Sequence, residues 1–184
     1  PHPTLSRWGS LTFAVEGFLS ELENTPQNEQ CGLVSYSSAG TRCNFTFTDS
    51  DINSPLSFSY QPIRDQMLFL SSRAVAGRTN IHAGIVNGIA VLTGRKSRPF
   101  AVRTMVVMTD GRHNTGPEPV LAARAAAKED ITIHTVTFSD EADFKRMKAV
   151  AGATGGTHYH APDAKALVQI FRDIARTLPV MLTQ

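Results

Sequence analysis

The chain has 184 residues, which fits a single domain, because one hydrophobic core commonly encloses about 100 to 200 residues. Its 18 Lys and Arg against 16 Asp and Glu give a net charge of +2, too small for the strong field that nucleic acid or an anionic membrane would need. With 41% apolar and 18% charged residues, and no apolar run that could span a bilayer, the composition predicts a packed globule. We therefore expect no nucleic-acid partner and no membrane contact by this segment.

The first predicted element is an amphipathic helix whose apolar residues recur at spacings of three and four: Trp8, Leu11, Val15, Phe18, Leu19 and Leu22. A short apolar run at 31–36 and an alternating segment at 43–47 follow, with the turn residues Ala39 and Gly40 between them. We predict that these two segments pair as a β-hairpin. The polar stretch 49–60 is predicted to be a loop.

The two cysteines, Cys31 and Cys43, could form at most one internal bridge, far from the dense pattern of a disulfide scaffold. On the predicted hairpin they lie at different heights. This placement favours two free thiols.

Two more helices are predicted before the centre of the chain. Ile63, Met67 and Leu70 mark a helix that ends near Gly77. The next begins at about Asn80 and ends at Gly94, with one apolar face made of Ile81, Ile85, Ile89 and Leu92. Its two internal glycines, at 84 and 88, would let a neighbouring element approach closely.

Strand and helix alternate in the rest of the chain. The run 105–108 is apolar on both sides, as expected of a buried parallel strand. An Ala-rich helix at 117–128, a strand at 131–138, a helix at 140–151, a strand at 157–160 and a last helix capped by Asp163 follow. This alternation predicts an α/β fold with a mainly parallel sheet covered by helices on both faces.

Two loops are predicted at the carboxyl edge of that sheet, where such folds bind their ligands. Thr79 precedes a helix, and Asp110 follows the apolar strand. A hydroxyl and a carboxylate are oxygen ligands suited to Mg²⁺, Mn²⁺ or Ca²⁺. The structural alternative is that Thr79 caps the helix and Asp110 is a turn residue before Gly111.

These loops resemble two segments of the metal-ion-dependent adhesion site of von Willebrand factor type A (vWA) domains. The matching residues are Gly-x-Thr-Asn-Ile at 77–81 and Thr-Asp-Gly at 109–111. The segments 32–38 and 133–156 and the final helix are also similar to that family. The resemblance covers nearly all of the chain from about Trp8 onward. It implies a Rossmann-like, doubly wound, mainly parallel sheet with one antiparallel edge strand and helices on both faces.

Carried over to this chain, the resemblance makes Thr79 and Asp110 the metal ligands. The family's first metal-binding segment, Asp-x-Ser-x-Ser after the first strand, has no counterpart in the sequence. We therefore expect residues 1–184 to form one vWA domain whose N-terminal strand is missing from the sequence. Mg²⁺, or Mn²⁺ or Ca²⁺, is the expected cofactor of the complete domain, while this chain alone should bind it weakly or not at all, because a hard cation takes about six oxygens.

The resemblance further implies a protein-binding module for adhesion or scaffolding rather than an enzyme. Arg78 and Arg112 flank the two ligands, and guanidinium groups there would favour an acidic side chain of a partner protein. The pattern at 79–85 and the sequence 88–94 look most like bacterial TadG-type pilus-assembly proteins, which implies an extracytoplasmic location in the bacterial envelope.

Two alternatives use other residues. A metal-dependent phosphohydrolase on a similar sheet could use Asp110 as its nucleophile, although the usual Asp-x-Asp pattern is absent. A zinc site could form from His158 and His160, two residues apart on a strand, with His134 as a third ligand.

Overall fold

The computed structural model describes residues 6–26, 29–42, 45–72 and 77–178. The helices are α1 (Arg7–Glu23), α2 (Gln61–Ser71), α3 (Ile81–Thr93), α4 (Pro119–Lys128), α5 (Phe144–Gly152) and α6 (Ala164–Thr177). The strands are β1 (Cys31–Tyr36), β2 (Gly40–Arg42), β3 (Phe45–Phe47), β4 (Ser50–Ser57), β5 (Arg103–Thr109), β6 (Ile131–Phe138) and β7 (His158–Ala161). None of the helices in these ranges has the length and apolar character needed to cross a bilayer.

The strands β5, β6 and β7 form a parallel sheet in that order. Because side chains alternate along a strand, each strand contributes to two cores. Val107 and Ile133 pack with residues of α3, α4 and α5 on one face. Val106 and Val136 pack with residues of α1 and α6 on the other. The predicted α/β fold with helices on both faces is confirmed.

Helix boundaries follow their capping residues. The side chain of Asn80 accepts a hydrogen bond from the Ala83 amide at 3.0 Å and so begins α3. Asp163 begins α6 in the same way, accepting from the Ala166 amide at 2.8 Å. Helix α2 ends at Ser71, earlier than the predicted end near Gly77, and residues 73–76 lie outside the described part of the chain.

The predicted pairing of β1 with the segment 43–47 is wrong, and so is the predicted loop at 49–60. The partner of β1 is β4, which runs antiparallel to it, while β2 and β3 form a small separate hairpin. Strand β4 is rich in polar residues, but Ser54 and Leu56 point inward and its backbone completes the ladder with β1. Pro55 is tolerated because β4 is an edge strand. Tertiary pairing here overrides weak local propensity.

The strands β1 and β5 belong to different sheets. Within the described ranges no backbone ladder joins them, so each has an edge without a paired strand. Helix α3 packs along both strands: the Tyr36 ring lies against Gly84, and the Met105 side chain lies against Gly88. We call the space between β1 and β5, above α3, the β1–β5 slot.

Cys31 carries a free thiol, and burial raises its pKa to about 12, so it remains protonated at neutral pH. The prediction of free thiols holds for Cys31. Cys43 lies outside the described residues.

Candidate ligand-binding site

Thr79 lies in a loop that is fixed at both ends. The Arg78 amide donates to the Ser38 hydroxyl at 2.8 Å, and the Asn80 amide donates to the Ser37 carbonyl at 2.9 Å. Asn80 is buried and is the residue that caps α3, so the alternative role of Thr79 as helix cap is wrong. The Thr79 side chain therefore does not cap α3.

Asp110 follows directly on β5, and its backbone is also held. The Thr109 hydroxyl donates to the Gly111 carbonyl at 3.0 Å, which turns the chain at the end of the strand. The Ser139 hydroxyl, at the end of β6, donates to the Asp110 carbonyl at 3.2 Å. Ser139 has a φ of 77°, a backbone conformation that costs a non-glycine residue energy. The Asp110 carboxylate remains about half exposed, at 48%.

The two loops are bound to each other. The Thr79 amide donates to the Asn114 side-chain carbonyl at 2.8 Å, and the Asn114 amide returns a bond to the Thr79 carbonyl at 3.1 Å. The Ile81 amide donates to His113 Nδ1 at 3.2 Å. A Cβ added to Gly111 would lie 3.7 Å from the Thr79 hydroxyl. The structure therefore brings both predicted ligand loops to one place on the sheet edge.

Arg78 and Arg112 are both exposed and lie one residue away from Thr79 and two from Asp110 respectively. His113 and Asn114, which lock the loops, were not predicted as site residues. No sequence signal marks them, because their partners lie about 30 residues away in the chain.

Arg7 is another member of the site that sequence reasoning missed. Its guanidinium lies 3.7 Å from the Asp110 carboxylate and 3.0 Å from the Glu141 carboxylate. The hydrogen bond to Glu141 and then the charge of Asp110 raise the pKa of Arg7. Arg7 stands at the start of α1, more than 100 residues from either partner, so only the fold reveals the contact.

The described residues do not by themselves fit a divalent cation. Thr79 and Asp110 offer two oxygen-bearing side chains, whereas Mg²⁺ and Ca²⁺ take six or more ligands. No group of three His, Cys, Asp or Glu residues with metal-binding geometry occurs in the described ranges. Asp110, which carries the only carboxylate of the predicted ligand pair, already contacts the Arg7 guanidinium.

The three histidines of the zinc alternative do not converge. In the parallel register His158 lies beside Thr135 and His160 beside Thr137, and both rings contact Phe144 of α5. His134 belongs to the alternate positions of β6, so it lies on the opposite face, where its ring contacts Tyr159. The alternative hypothesis of a zinc site built from these three residues is therefore wrong.

The carboxyl end of the β1–β5 slot lies next to the site. The Tyr36 hydroxyl donates to the Met108 carbonyl across the slot. Two strands separated by one intervening strand lie about 9.6 Å apart, a distance that a tyrosine side chain with its hydrogen bond spans. The contact therefore links the carboxyl ends of the two strands across the slot.

The sequence matches the family model described as von Willebrand factor type A domain over residues 4–173. No curated protein matches the chain significantly in sequence.

Solved structures of similar fold include three proteins of low sequence identity. A von Willebrand factor type A protein from Catenulispora acidiphila is 14% identical, with a TM-score of 0.72 over 92% of this chain and 37% of that one. The pilus adhesin SpaC from Lactobacillus rhamnosus GG is 16% identical, with a TM-score of 0.73 over 94% of this chain and 28% of that one. Proximal thread matrix protein 1 from the mussel byssus, in a form with a zinc-occupied MIDAS motif, is 14% identical, with a TM-score of 0.64 over 89% of this chain and 39% of that one. The chain thus spans well under half the length of each, and at these identities the likeness concerns the fold.

Proposed function

Because this chain belongs to the von Willebrand factor type A domain family, we propose that it is a protein-binding module whose partner docks at the sheet edge formed by Thr79 and Asp110. Domains of this family are generally non-catalytic and typically bind protein ligands through an adhesion site. The observation that carries the proposal is the reciprocal bonding of the Thr79 loop to Asn114. It holds the hydroxyl loop and the carboxylate loop together as one rigid surface.

The partner is proposed to contribute an acidic side chain. Arg78 and Arg112 are exposed in the two loops that carry Thr79 and Asp110, and a guanidinium binds a carboxylate through two parallel hydrogen bonds. Their carbon chains and planar heads also provide contact area, which makes arginine frequent at binding hot spots.

We further propose that the metal site becomes complete only when a strand enters the β1–β5 slot. Thr79 and Asp110 would then be two of the ligands of Mg²⁺, Mn²⁺ or Ca²⁺, and the loop after the inserted strand would supply the others. The zinc-occupied MIDAS motif of the mussel protein supports a metal at this position of the fold. The unpaired edges of β1 and β5 support the strand, because each edge presents a row of backbone N–H and C=O groups that a further strand could pair with.

A role in bacterial pilus or envelope assembly, outside the cytoplasm, is the most specific form of the proposal. It is supported by the TadG-like residues at 79–85 and 88–94, and by the fold shared with a pilus adhesin. The phosphohydrolase alternative has no supporting observation: the family is generally non-catalytic, and Asp110 contacts Arg7.

The proposed acidic partner can be tested with polyglutamate as the probe. Binding of polyglutamate to the immobilised chain should weaken about tenfold when Arg78 and Arg112 are both changed to Glu, because close charge pairs then become repulsive. The rate of association should fall and lose its dependence on salt. Surface interferometry at several ionic strengths measures both.

The matched control is the double change Arg95→Glu and Lys96→Glu, which alters net charge equally beyond the end of α3, at the opposite edge of the sheet. If this control weakens polyglutamate binding as much as the Arg78 and Arg112 changes do, the probe responds to net charge alone. The proposed site would then be wrong.

A further inference from the structure

The turn between α3 and β5 holds an aromatic side chain out in solvent. The Ala101 amide donates to the Arg98 carbonyl at 3.4 Å, and this bond closes a turn over residues 98–101. Phe100 follows Pro99 in this turn with a φ of 62°, a place where a positive φ usually calls for Gly. The Phe100 side chain is 92% exposed. An exposed aromatic residue held in a conformation that costs energy points to a role in binding.

The loop that contains this turn is cationic. Residues 94–102, which we call the Phe100 loop, include Arg95, Lys96 and Arg98 and no acidic residue. Arg98 forms an ion pair with Glu29 at 3.1 Å. Within the described ranges, Arg95 and Lys96 form no ion pair of this kind. The loop therefore offers an exposed aromatic ring beside two cations that can attract a carboxylate.

An apolar groove lies on another part of the surface, between α1 and α2. Its volume is about 360 Å³, and we call it the α1–α2 groove. The apolar side chains that line it are Phe13, Val15, Leu19, Met67 and Leu68. Phe13 and Leu68 are 58% and 66% exposed. A cavity of about 150 Å³ accommodates a benzene ring, so the groove has room for a phenyl ring and a second apolar side chain. Val102 of the Phe100 loop, which is 47% exposed, could supply the second.

The surroundings of the groove are acidic, opposite in charge to the Phe100 loop. Along α2 and residues 12–23 of α1, Arg64 is the only cation. It pairs with Glu16 at 2.9 Å and with Glu23 at 2.8 Å, and Asp65 is exposed beside it. One guanidinium thus stands among three carboxylates. Surfaces of opposite charge attract each other and fix the orientation in which they meet.

We propose that the Phe100 loop of one copy of the chain docks into the α1–α2 groove of a second copy. Phe100 fills the groove, while Arg95 and Lys96 approach its acidic surroundings. A second copy is the favoured occupant because the chain itself supplies a groove of fitting size, polarity and charge. The Phe100 loop lies at the amino ends of the strands, so docking leaves the candidate ligand-binding site at their carboxyl ends accessible.

The two docking surfaces differ, so the association is head-to-tail. Each copy gives its loop to one neighbour and its groove to another, and such contacts extend until a ring closes or a filament forms. A contact centred on one aromatic ring is smaller than a standard protein interface, which makes it weak. Associated copies would present several ligand-binding sites together and so raise the avidity for a partner with repeated acidic groups.

Sedimentation equilibrium from about 10 μM to about 1 mM tests the association, because contacts of this size are weak. The average mass should rise with concentration, and it should rise less at high salt, which screens the charges. Phe100→Gly should need at least about tenfold higher concentration for the same average mass, since aromatic anchors carry much of the binding energy of an interface. Its urea midpoint should not fall, because Gly tolerates the positive φ. This second measurement separates docking from folding.

A mixture of two variants tests the head-to-tail geometry. Leu68→Arg blocks the groove and leaves the Phe100 loop intact, whereas Phe100→Gly leaves the groove intact. At concentrations where the unchanged chain associates, each variant alone should be monomeric. Their mixture should form dimers and nothing larger, because one usable loop and one usable groove remain. Leu121→Arg is the matched control at a leucine of α4 that is 54% exposed, and it should associate like the unchanged chain.

Three results would overturn the proposal. The first is a chain that stays monomeric over the whole range, including one whose Phe100 binds phosphatidylserine vesicles, which would assign the loop to a lipid surface. The second is association that Phe100→Gly leaves unchanged or that Leu121→Arg weakens as much as Leu68→Arg does. The third is a mixture without dimers although the unchanged chain associates.

Discussion

At the level of single residues, His158 has a neutral tautomer that hydrogen bonding fixes. The Thr135 hydroxyl donates to the Met147 carbonyl at 3.1 Å, so it accepts from His158 Nδ1, which lies at 2.9 Å. This assigns the proton of the neutral ring to Nδ1. The other ring nitrogen, Nε2, is buried and has no partner in the described part of the chain. A second proton there would have no acceptor.

Stability should therefore fall in mildly acidic solution. Burial, then the charges of His160 and Lys148, lower the pKa of His158, and burial also lowers the pKa of His134 and His113. The folded state then binds protons less readily than the unfolded state, whose histidines titrate near pH 6.5. This stability is fully present above about pH 6.5 and is lost as the pH falls through the lower folded-state values.

Urea unfolding between pH 7.5 and pH 5 measures this dependence. His158→Gln should make the curve flatter, because it removes one of the groups that take up a proton on unfolding. A curve of unchanged slope would show that His158 does not contribute. Carboxylates with lowered pKa, such as Glu16 and Glu23, act at more acidic pH and stay outside this window.

At the level of elements, the approach of α3 to the β1–β5 slot depends on Gly84. A Cβ at this position would lie 2.6 Å from the Tyr36 ring, closer than real contacts allow. Ala in a helix is normally favoured over Gly by about 1 kcal/mol. We expect Gly84→Ala to destabilise the protein instead, by about 1 to 3 kcal/mol, because the ring and the helix must move apart.

Gly152→Ala is the control, because a Cβ at the end of α5 meets nothing within 4 Å. That change should be neutral or stabilising in the same urea experiment. Equal effects at both glycines would show that α3 does not pack tightly on Tyr36.

The unpaired edges of β1 and β5 at the slot should also affect hydrogen exchange of the backbone amides. In β1 and β5, alternate amides point away from the paired strand, whereas β6 is paired on both sides by β5 and β7. Hydrogen exchange should therefore be fast at alternate amides of β1 and β5 and slow throughout the centre of β6. Uniform slow exchange along β1 and β5 would mean that the slot is already filled.

At the level of the whole molecule, the small number of oxygen ligands and the nearby positive charge of Arg7 predict weak metal binding. Thr79 and Asp110 provide too few oxygens for Mg²⁺, and Arg7 contacts the only carboxylate of the pair. Calorimetric titration of the chain with Mg²⁺ should show weak binding or none. Tight, stoichiometric binding that Asp110→Ala abolishes would show that other residues replace the absent segment.

Much of the fold could be predicted from local sequence. The apolar spacing of α1 and α3, the start of α3 near Asn80, the cap Asp163, and the apolar runs of β5 and β6 are all encoded by residues close to one another in the chain. The predicted ligands Thr79 and Asp110 were found on short motifs in the same way, and the structure places their loops side by side. Their roles as ligands stay predictions.

The α/β class, most element positions and the two loops that carry Thr79 and Asp110 follow from local sequence, because periodicity, capping and turn chemistry act between neighbouring residues. The pairing of β4 with β1, the hydrogen bonds of Asn114 to the Thr79 loop, and the contact of Arg7 with Asp110 become visible only in the folded molecule. These contacts join residues that are far apart in the chain. Their free energy depends on distances that exist only after the helices have packed on the sheet, so no local pattern in the sequence can signal them.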